Sequence, residues 1–273
     1  MLTDAHCHPA DLAERFPAAE NERRRLRVIC AASASTPAEF EYCERLSRQA
    51  EADAPVLPCF AVHPQLPVTE SGWQDSLAAL ETLAAQGRLA AVGETGFDLY
   101  NAEFRSTEKK QEELFDTHLE TALRHNLPLV IHVRRAMHKI FARATELKKC
   151  RAVIFHSWPG TEGEGEALLR RGINAFFSFG TTIMLNHREA MRCCAVFPVE
   201  RLLTETDSPY QPLRGMKFSS YAGIGDILET AAALRRRAGK ENLSAEEMEK
   251  TIEINFRSAF GIMKSDAPPL RSL

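Results

Sequence analysis

A repeated alternation constrains this chain more than any other feature. Short apolar runs rich in β-branched or aromatic residues recur at 2–8, 27–33, 56–64, 89–98, 127–134, 151–158, 174–180 and 201–208. Stretches 73–86, 107–125, 136–148, 162–171 and 188–197 between them read as amphipathic helices, and 221–238 and 244–260 follow the last run. Strands separated by helices pair in parallel through crossovers. Eight such units predict an α/β fold, a (β/α)8 TIM barrel. With 273 residues, 44% of them hydrophobic, the chain can fill that barrel as one domain. The domain is expected over 1–264, with 265–273, which carries Pro268-Pro269, as a flexible tail.

Charge and cysteine usage narrow the functions. Lys and Arg number 34 against 37 Asp and Glu, a net charge of −3, which leaves no broad cationic surface for a polyanion. Any nucleic acid must be held locally. Seven cysteines with no CxxC, and no basic-then-apolar leader, predict a reduced cytoplasmic protein. No apolar stretch is long enough to cross a membrane. The charged run 20–25 is expected to be a solvated face, and Arg235-Arg236-Arg237 reads either as a contact to a nucleic-acid backbone or, preferred, as solvated helix surface.

Residues able to bind metals fall at the C-terminal ends of these runs, the rim on which barrel active sites are assembled. His6 and His8 close the first run, and alternate residues of a strand share a face. Glu94 lies in the fourth run, His132 follows Pro128-Leu129-Val130-Ile131 in the fifth, His156 follows Val153-Ile154-Phe155 in the sixth, and Asp207 lies near the end of the eighth; His63 adds a candidate on the third. Any one strand-end histidine reads equally well as a hydrogen-bonded rim residue. Six coincidences on one rim do not.

Four imidazoles and two carboxylates exceed what a catalytic zinc takes. Two divalent ions fit the count, with Glu94, on a strand between the two histidine groups, as the bridge. One ion takes His6, His8 and Asp207, the other His132 and His156. Two cations about 3.5–4 Å apart lower the pKa of water and clamp both oxygens of a phosphoryl displacement. Hydrolysis is the expected output, with Asp207 as general base. Nitrogen-rich ligation favours Zn, Mn or Co, whereas Mg suits phosphoryl substrates.

The ordered motifs Asp4-Ala5-His6-Cys7-His8, Val62-His63-Pro64, Gly93-Glu94-Thr95-Gly96-Phe97-Asp98, Val130-Ile131-His132-Val133-Arg134, Phe155-His156-Ser157 and Glu205-Thr206-Asp207-Ser208-Pro209 together resemble the TatD family of metal-dependent deoxyribonucleases. The resemblance runs from residue 4 to about residue 210. It implies a barrel of the amidohydrolase type, a divalent metal centre with the ligands named above, and hydrolysis of DNA phosphodiesters. Two loops depart from it. Where the family carries a basic stretch ending in Asn-Glu-Pro, this chain has Gln211-Pro212-Leu213-Arg214-Gly215-Met216-Lys217-Phe218, and Phe-His-Cys-Phe-x-Gly becomes Phe155-His156-Ser157-Trp158-Pro159-Gly160. These loops would line the substrate mouth. The expected substrate is DNA, single-stranded and attacked from an end; the alternative is a small-molecule amidase, lactonase or phosphotriesterase on the same barrel.

Other polar residues carry two readings each. Arg134, two residues past His132, either grips a substrate phosphate or pairs with a helix carboxylate. Glu205 shares a face with Asp207 and is expected to hydrogen-bond a ligand imidazole or remain an inner-barrel carboxylate. His63 is expected at the outer rim, bonded to substrate or water. Trp158 either stacks on a base or packs at the rim, the latter preferred. His118, His125, His138 and His187 fall in or beside helical segments and read as structural or exposed, and Cys7 as core.

Overall fold

The computed structural model describes residues 1–69, 72–240 and 243–262. The tail expected at 265–273 lies outside the described residues. Eight strands, β1 (Thr3–Cys7), β2 (Ile29–Ala34), β3 (Val56–Phe60), β4 (Ala91–Asp98), β5 (Leu129–Arg134), β6 (Val153–Phe155), β7 (Ala175–Phe179) and β8 (Leu202–Thr204), form one sheet in chain order. Every adjacent pair is parallel. The Asp207 N–H donates to the His6 carbonyl at 2.9 Å and the His8 N–H to the Ser208 carbonyl at 2.7 Å. Those bonds bring β1 and β8 together, and the barrel is nearly closed.

Alternation along the strands sorts two layers. Ile29, Ala31, Leu57, Cys59, Val130, Ile154, Phe176 and Leu203 meet inside the barrel, and Phe256, Ala259 and Phe260 from the helix Ala245–Phe260 pack against them. Their strand neighbours, such as Cys30, Ile131, Phe155 and Phe177, face the outer helices, and Cys7 joins that layer as expected. Among the described residues no helix is long and apolar enough to cross a membrane, and all seven cysteines are free and buried.

Three helices between β1 and β3, Pro9–Arg15, Ala19–Leu26 and Pro37–Gln49, are absent from the sequence expectation. The last had readable signals: Thr36 accepts from the Glu39 N–H at 3.3 Å, and Pro37 opens the first turn. Two expectations of solvated charge need correction. Arg23 is fully buried, donating to the Val28 and Ala54 carbonyls at 2.7 Å each and pairing with Glu20 at 2.8 Å. Arg235 is also buried, donating to the carbonyls of Cys194 and Phe197 at 3.0 and 2.8 Å. A run of charges hid one inward residue in each helix; Arg236 and Arg237 are exposed.

Candidate metal centre

His132 lies in register with Val130 and His156 with Ile154, so the interior face of β5 and β6 carries both imidazoles to the rim. The pairing of β1 with β2 shifts between Asp4 and Cys7, and that of β4 with β5 between Val92 and Thr95. Such irregularities re-aim side chains next to functional sites, and His6 and Glu94 sit within these two. At Gly96, φ is 142°, and a Cβ would overlap the His132 carbonyl. Only glycine lets β4 approach β5 this closely.

Glu94 stands at the centre. Its Oε2 lies 3.1 Å from His6 Nε2 and 3.6 Å from His8 Nε2. The same two nitrogens are 3.1 Å apart, and Asp207 Oδ1 is 3.7 and 3.5 Å from them. Oε1 faces the other way, 2.7 Å from His132 Nδ1, 2.9 Å from His156 Nε2 and 3.3 Å from His63 Nε2. All six residues expected as metal ligands therefore converge. His63 comes closer than a rim position would bring it, grouped with Glu94 and His132.

The family model for TatD related DNase matches residues 3–261. This chain belongs to the TatD family. It is 29% identical over 227 residues to the 3'-5' ssDNA/RNA exonuclease TatD of Shigella flexneri, covering 82% of this chain and 84% of that one. It is also 29% identical over 273 residues to an uncharacterized metal-dependent hydrolase TatD of Mycobacterium tuberculosis, covering 96% and 98%. The crystal structure of YJJV, a TatD homolog from Escherichia coli K12, superposes with a TM-score of 0.81 at 22% identity, over 96% of this chain and 98% of that one. A TatD-family hydrolase from Entamoeba histolytica gives 0.75 at 17% identity, over 96% and 98%. The chain is thus a metal-dependent hydrolase of the TatD type on a TIM barrel.

In this TatD-family chain the ligand candidates are held from behind. The nitrogen of each buried imidazole that points away from Glu94 faces an oxygen. His6 Nδ1 is 3.1 Å from Ser33 Oγ, His132 Nε2 is 3.2 Å from Asp98 Oδ2, and His156 Nδ1 is 3.4 Å from Glu205 Oε1. Hydrogen-bond partners such as Ser33 and Asp98 orient the ring of a metal-binding histidine, and Glu205 stands at ion-pair distance from His156 without a hydrogen bond. Glu205 also accepts from the Ser157 N–H at 2.7 Å. The Gln211 side-chain amide donates to Asp207 Oδ2 at 2.7 Å and to Ser157 Oγ at 3.0 Å. Asp4 links β1 to the β8 loop by accepting from the Thr206 hydroxyl and N–H at 2.6 and 3.0 Å. Its burial raises its pKa to about 7 against those bonds. Ser33 was not singled out from sequence, Asp4 and Asp98 only as parts of motifs, and Gln211 only as part of a divergent loop.

The electrostatics suit a cation. Burial would raise the pKa of Glu94, yet the His156, His63 and His6 charges and the His132 bond hold it well below the carboxylate range. Burial opposes charge at His8, but Asp207 and Glu94 outweigh it and raise the pKa. Burial likewise opposes charge at His132, where Asp98 and Glu94 prevail, and at His156, where Glu94 and Glu205 do. At His6 and His63 burial wins and the pKa falls. His6 Nε2 meets both a carboxylate oxygen and a second imidazole nitrogen, and one proton cannot satisfy all three lone pairs. A divalent cation can, and imidazole nitrogen with carboxylate oxygen is a donor set that Zn and Mn accept. The residues fit the divalent metal dependence of a metal-dependent hydrolase.

A cavity of about 880 Å³ opens over the cluster. Three non-glycine residues at its rim, Ser157, Asp207 and Gln211, hold left-handed backbone at φ 44°, 52° and 51°, a conformation kept only where surrounding contacts dictate it. Trp158 lines the cavity, but its ring is buried edge-on against Phe155 and Phe177 at 5.3 and 4.7 Å, the packed reading. Arg134 pairs with Asp98 at 3.4 Å, a strand carboxylate and not the helix partner considered from sequence. His118 is buried and structural, accepting from the Val62 N–H at 2.9 Å. His125 pairs with Glu81 at 3.0 Å, and His138 and His187 are exposed.

Proposed function

We propose that this chain is a cytoplasmic nuclease, a single catalytic unit over residues 1–264, that shortens single-stranded DNA from an end. The observation carrying the reading is the two-sided environment of Glu94, with His6 and His8 at one oxygen and His132 and His156 at the other. Two divalent ions, Zn, Mn or Mg, would be held by His6, His8, Asp207 and Glu94 Oε2 on one side and by His132, His156 and Glu94 Oε1 on the other. His63 is close enough to share the second. When bound, the ions supply Lewis acidity to water and to phosphate oxygens.

The remaining work falls to the chain's own groups. Glu94 keeps both halves of the site at fixed separation. Asp207, ionised and oriented through Gln211, accepts the proton of the attacking water. Asp98 and Glu205 hold the imidazoles behind them, and Arg134 offers its free guanidinium edge to a phosphate. A pocketed site suits a chain end better than the middle of a rigid duplex. Relatives named as ssDNA/RNA exonucleases support this substrate class.

The test is hydrolysis of end-labelled single-stranded DNA by metal-stripped protein reloaded with Mg, Mn or Zn. Metal-dependent shortening, lost in Glu94→Ala and Asp207→Asn, is the expected result. Intact DNA under every metal, with turnover on an amide, lactone or phosphotriester panel, would transfer the site to a small-molecule hydrolase.

A further inference from the structure

Three arginines converge on two consecutive residues just beyond β4. Arg105, from the short helix Ala102–Arg105, donates to the carbonyls of Leu99 and Tyr100 at 3.2 and 3.3 Å. Arg135, one residue past β5, donates to the same Tyr100 carbonyl at 3.0 Å, and its guanidinium lies 4.6 Å from the centroid of the Tyr100 ring. Arg134 sits over that ring at 4.1 Å. Tyr100 is 46% exposed, and Arg105 and Arg135 are exposed around it.

The partners of these side chains are mostly neutral. A ring face and backbone carbonyls fix a guanidinium without cancelling its charge. Of these three arginines only Arg134 has a carboxylate within ion-pair distance among the described residues, Asp98 at 3.4 Å, and Asp98 is already engaged by His132 and Gln65 at 3.2 and 2.7 Å. A chain of net charge −3 thus concentrates three positive charges in one place and leaves most of that charge uncompensated. One of the three, Arg134, reaches the rim of the candidate metal centre. It lines the cavity and is joined to His132 through Asp98.

We propose that Arg105, Arg134 and Arg135 form a phosphate cradle that holds the part of a nucleic-acid strand lying outside the metal centre. The proposal rests on the nuclease reading above and adds where the uncleaved strand runs, along the β4 and β5 side of the mouth. Guanidinium forks with free N–H edges match phosphate oxygens, and a local cluster is what a chain without global positive charge needs to grip a polyanion. Tyr100 acts as the post that orients the guanidiniums.

The test compares the full-length wild type with Arg105→Ala/Arg135→Ala and Arg105→Lys/Arg135→Lys, with folding checked by circular dichroism. Binding of a fluorescent oligothymidylate of about twelve nucleotides is followed by anisotropy across a salt series, in chelator so that no strand is cut. The alanine pair should bind about tenfold more weakly, and the salt slope should shrink by about 1.4, near 0.7 for each single-strand phosphate that is no longer neutralised. The lysine pair should regain most of the slope. With metal restored, the ratio of kcat/KM on the long strand to that on a dinucleotide should fall about tenfold in the alanine pair. An unchanged slope and ratio in a folded alanine pair, a lysine pair no better than alanine, or a wild type that binds no oligonucleotide overturns the cradle. Arginine-dependent binding without cleavage by the wild type leaves the cradle standing and removes the nuclease reading instead.

Discussion

Ser33 Oγ lies 3.1 Å from Nδ1 of His6, on the opposite edge of the ring from the nitrogen that faces Glu94. By accepting from Nδ1–H the hydroxyl would favour the tautomer that leaves Nε2 of a fully buried imidazole free to bind a cation. Removing it leaves the ring able to take the wrong tautomer. Ser33→Ala should weaken metal binding by about ten- to a hundredfold and lose activity that excess metal restores. Equilibrium dialysis with the chosen metal measures the first effect. Wild-type affinity in the variant would contradict this role.

Gln211 opens the loop that departs from the family's basic stretch, and its amide ties Asp207 Oδ2 to Ser157. Gln211→Leu frees the carboxylate to rotate. A loss of one hydrogen bond to a charged group predicts a fall in kcat of about tenfold or somewhat more, with KM changing less. Steady-state kinetics on a short oligonucleotide separates the two.

His118 makes stability depend on pH away from the metal centre. Burial depresses its pKa from the ordinary 6.5 to about 4, against the bond to the Leu114 carbonyl. Below 6.5 the unfolded chain takes up a proton that the folded chain refuses, so this contribution is complete above 6.5 and is lost as pH falls toward 4. The full loss is about 3 kcal/mol. Urea unfolding at several pH values should show wild-type stability declining in that window more steeply than that of His118→Gln, which starts lower. Parallel curves would exclude the buried neutral histidine.

Arg23 joins the helix Ala19–Leu26 to the carbonyls before β2 and β3. Arg23→Ala would leave both carbonyls and the Glu20 carboxylate without their partner. The expected cost is about 3 kcal/mol, read as a lower urea midpoint with an unchanged slope. A solvated arginine would cost almost nothing.

What could be read in advance follows from the range of the forces involved. His132 and His156 were legible because each ends an apolar run, and local periodicity sets which face they share. Glu94 was legible as a carboxylate in the middle of a largely apolar strand. Ser33 was not, because a strand-end serine acquires meaning only when β2 pairs with β1 and brings it to His6. Arg23 and Arg235 were misjudged for the same reason: their acceptors come from segments distant in the chain, so a window of sequence sees only charge. His63 was expected at the outer rim, yet its Nε2 reaches Glu94, a distance set by how β3 packs beside β4. The arginine cluster was invisible because Arg105 and Arg135 belong to different crossovers.

Glu94 is central to the proposed function because each of its carboxylate oxygens faces a separate pair of histidines. Anomalous diffraction from crystals of the wild-type protein soaked in Mn tests this most directly. Two peaks flanking Glu94 are expected, one against His6, His8 and Asp207 and the other against His132 and His156. A single peak, or peaks that leave one Glu94 oxygen without a metal, would contradict it.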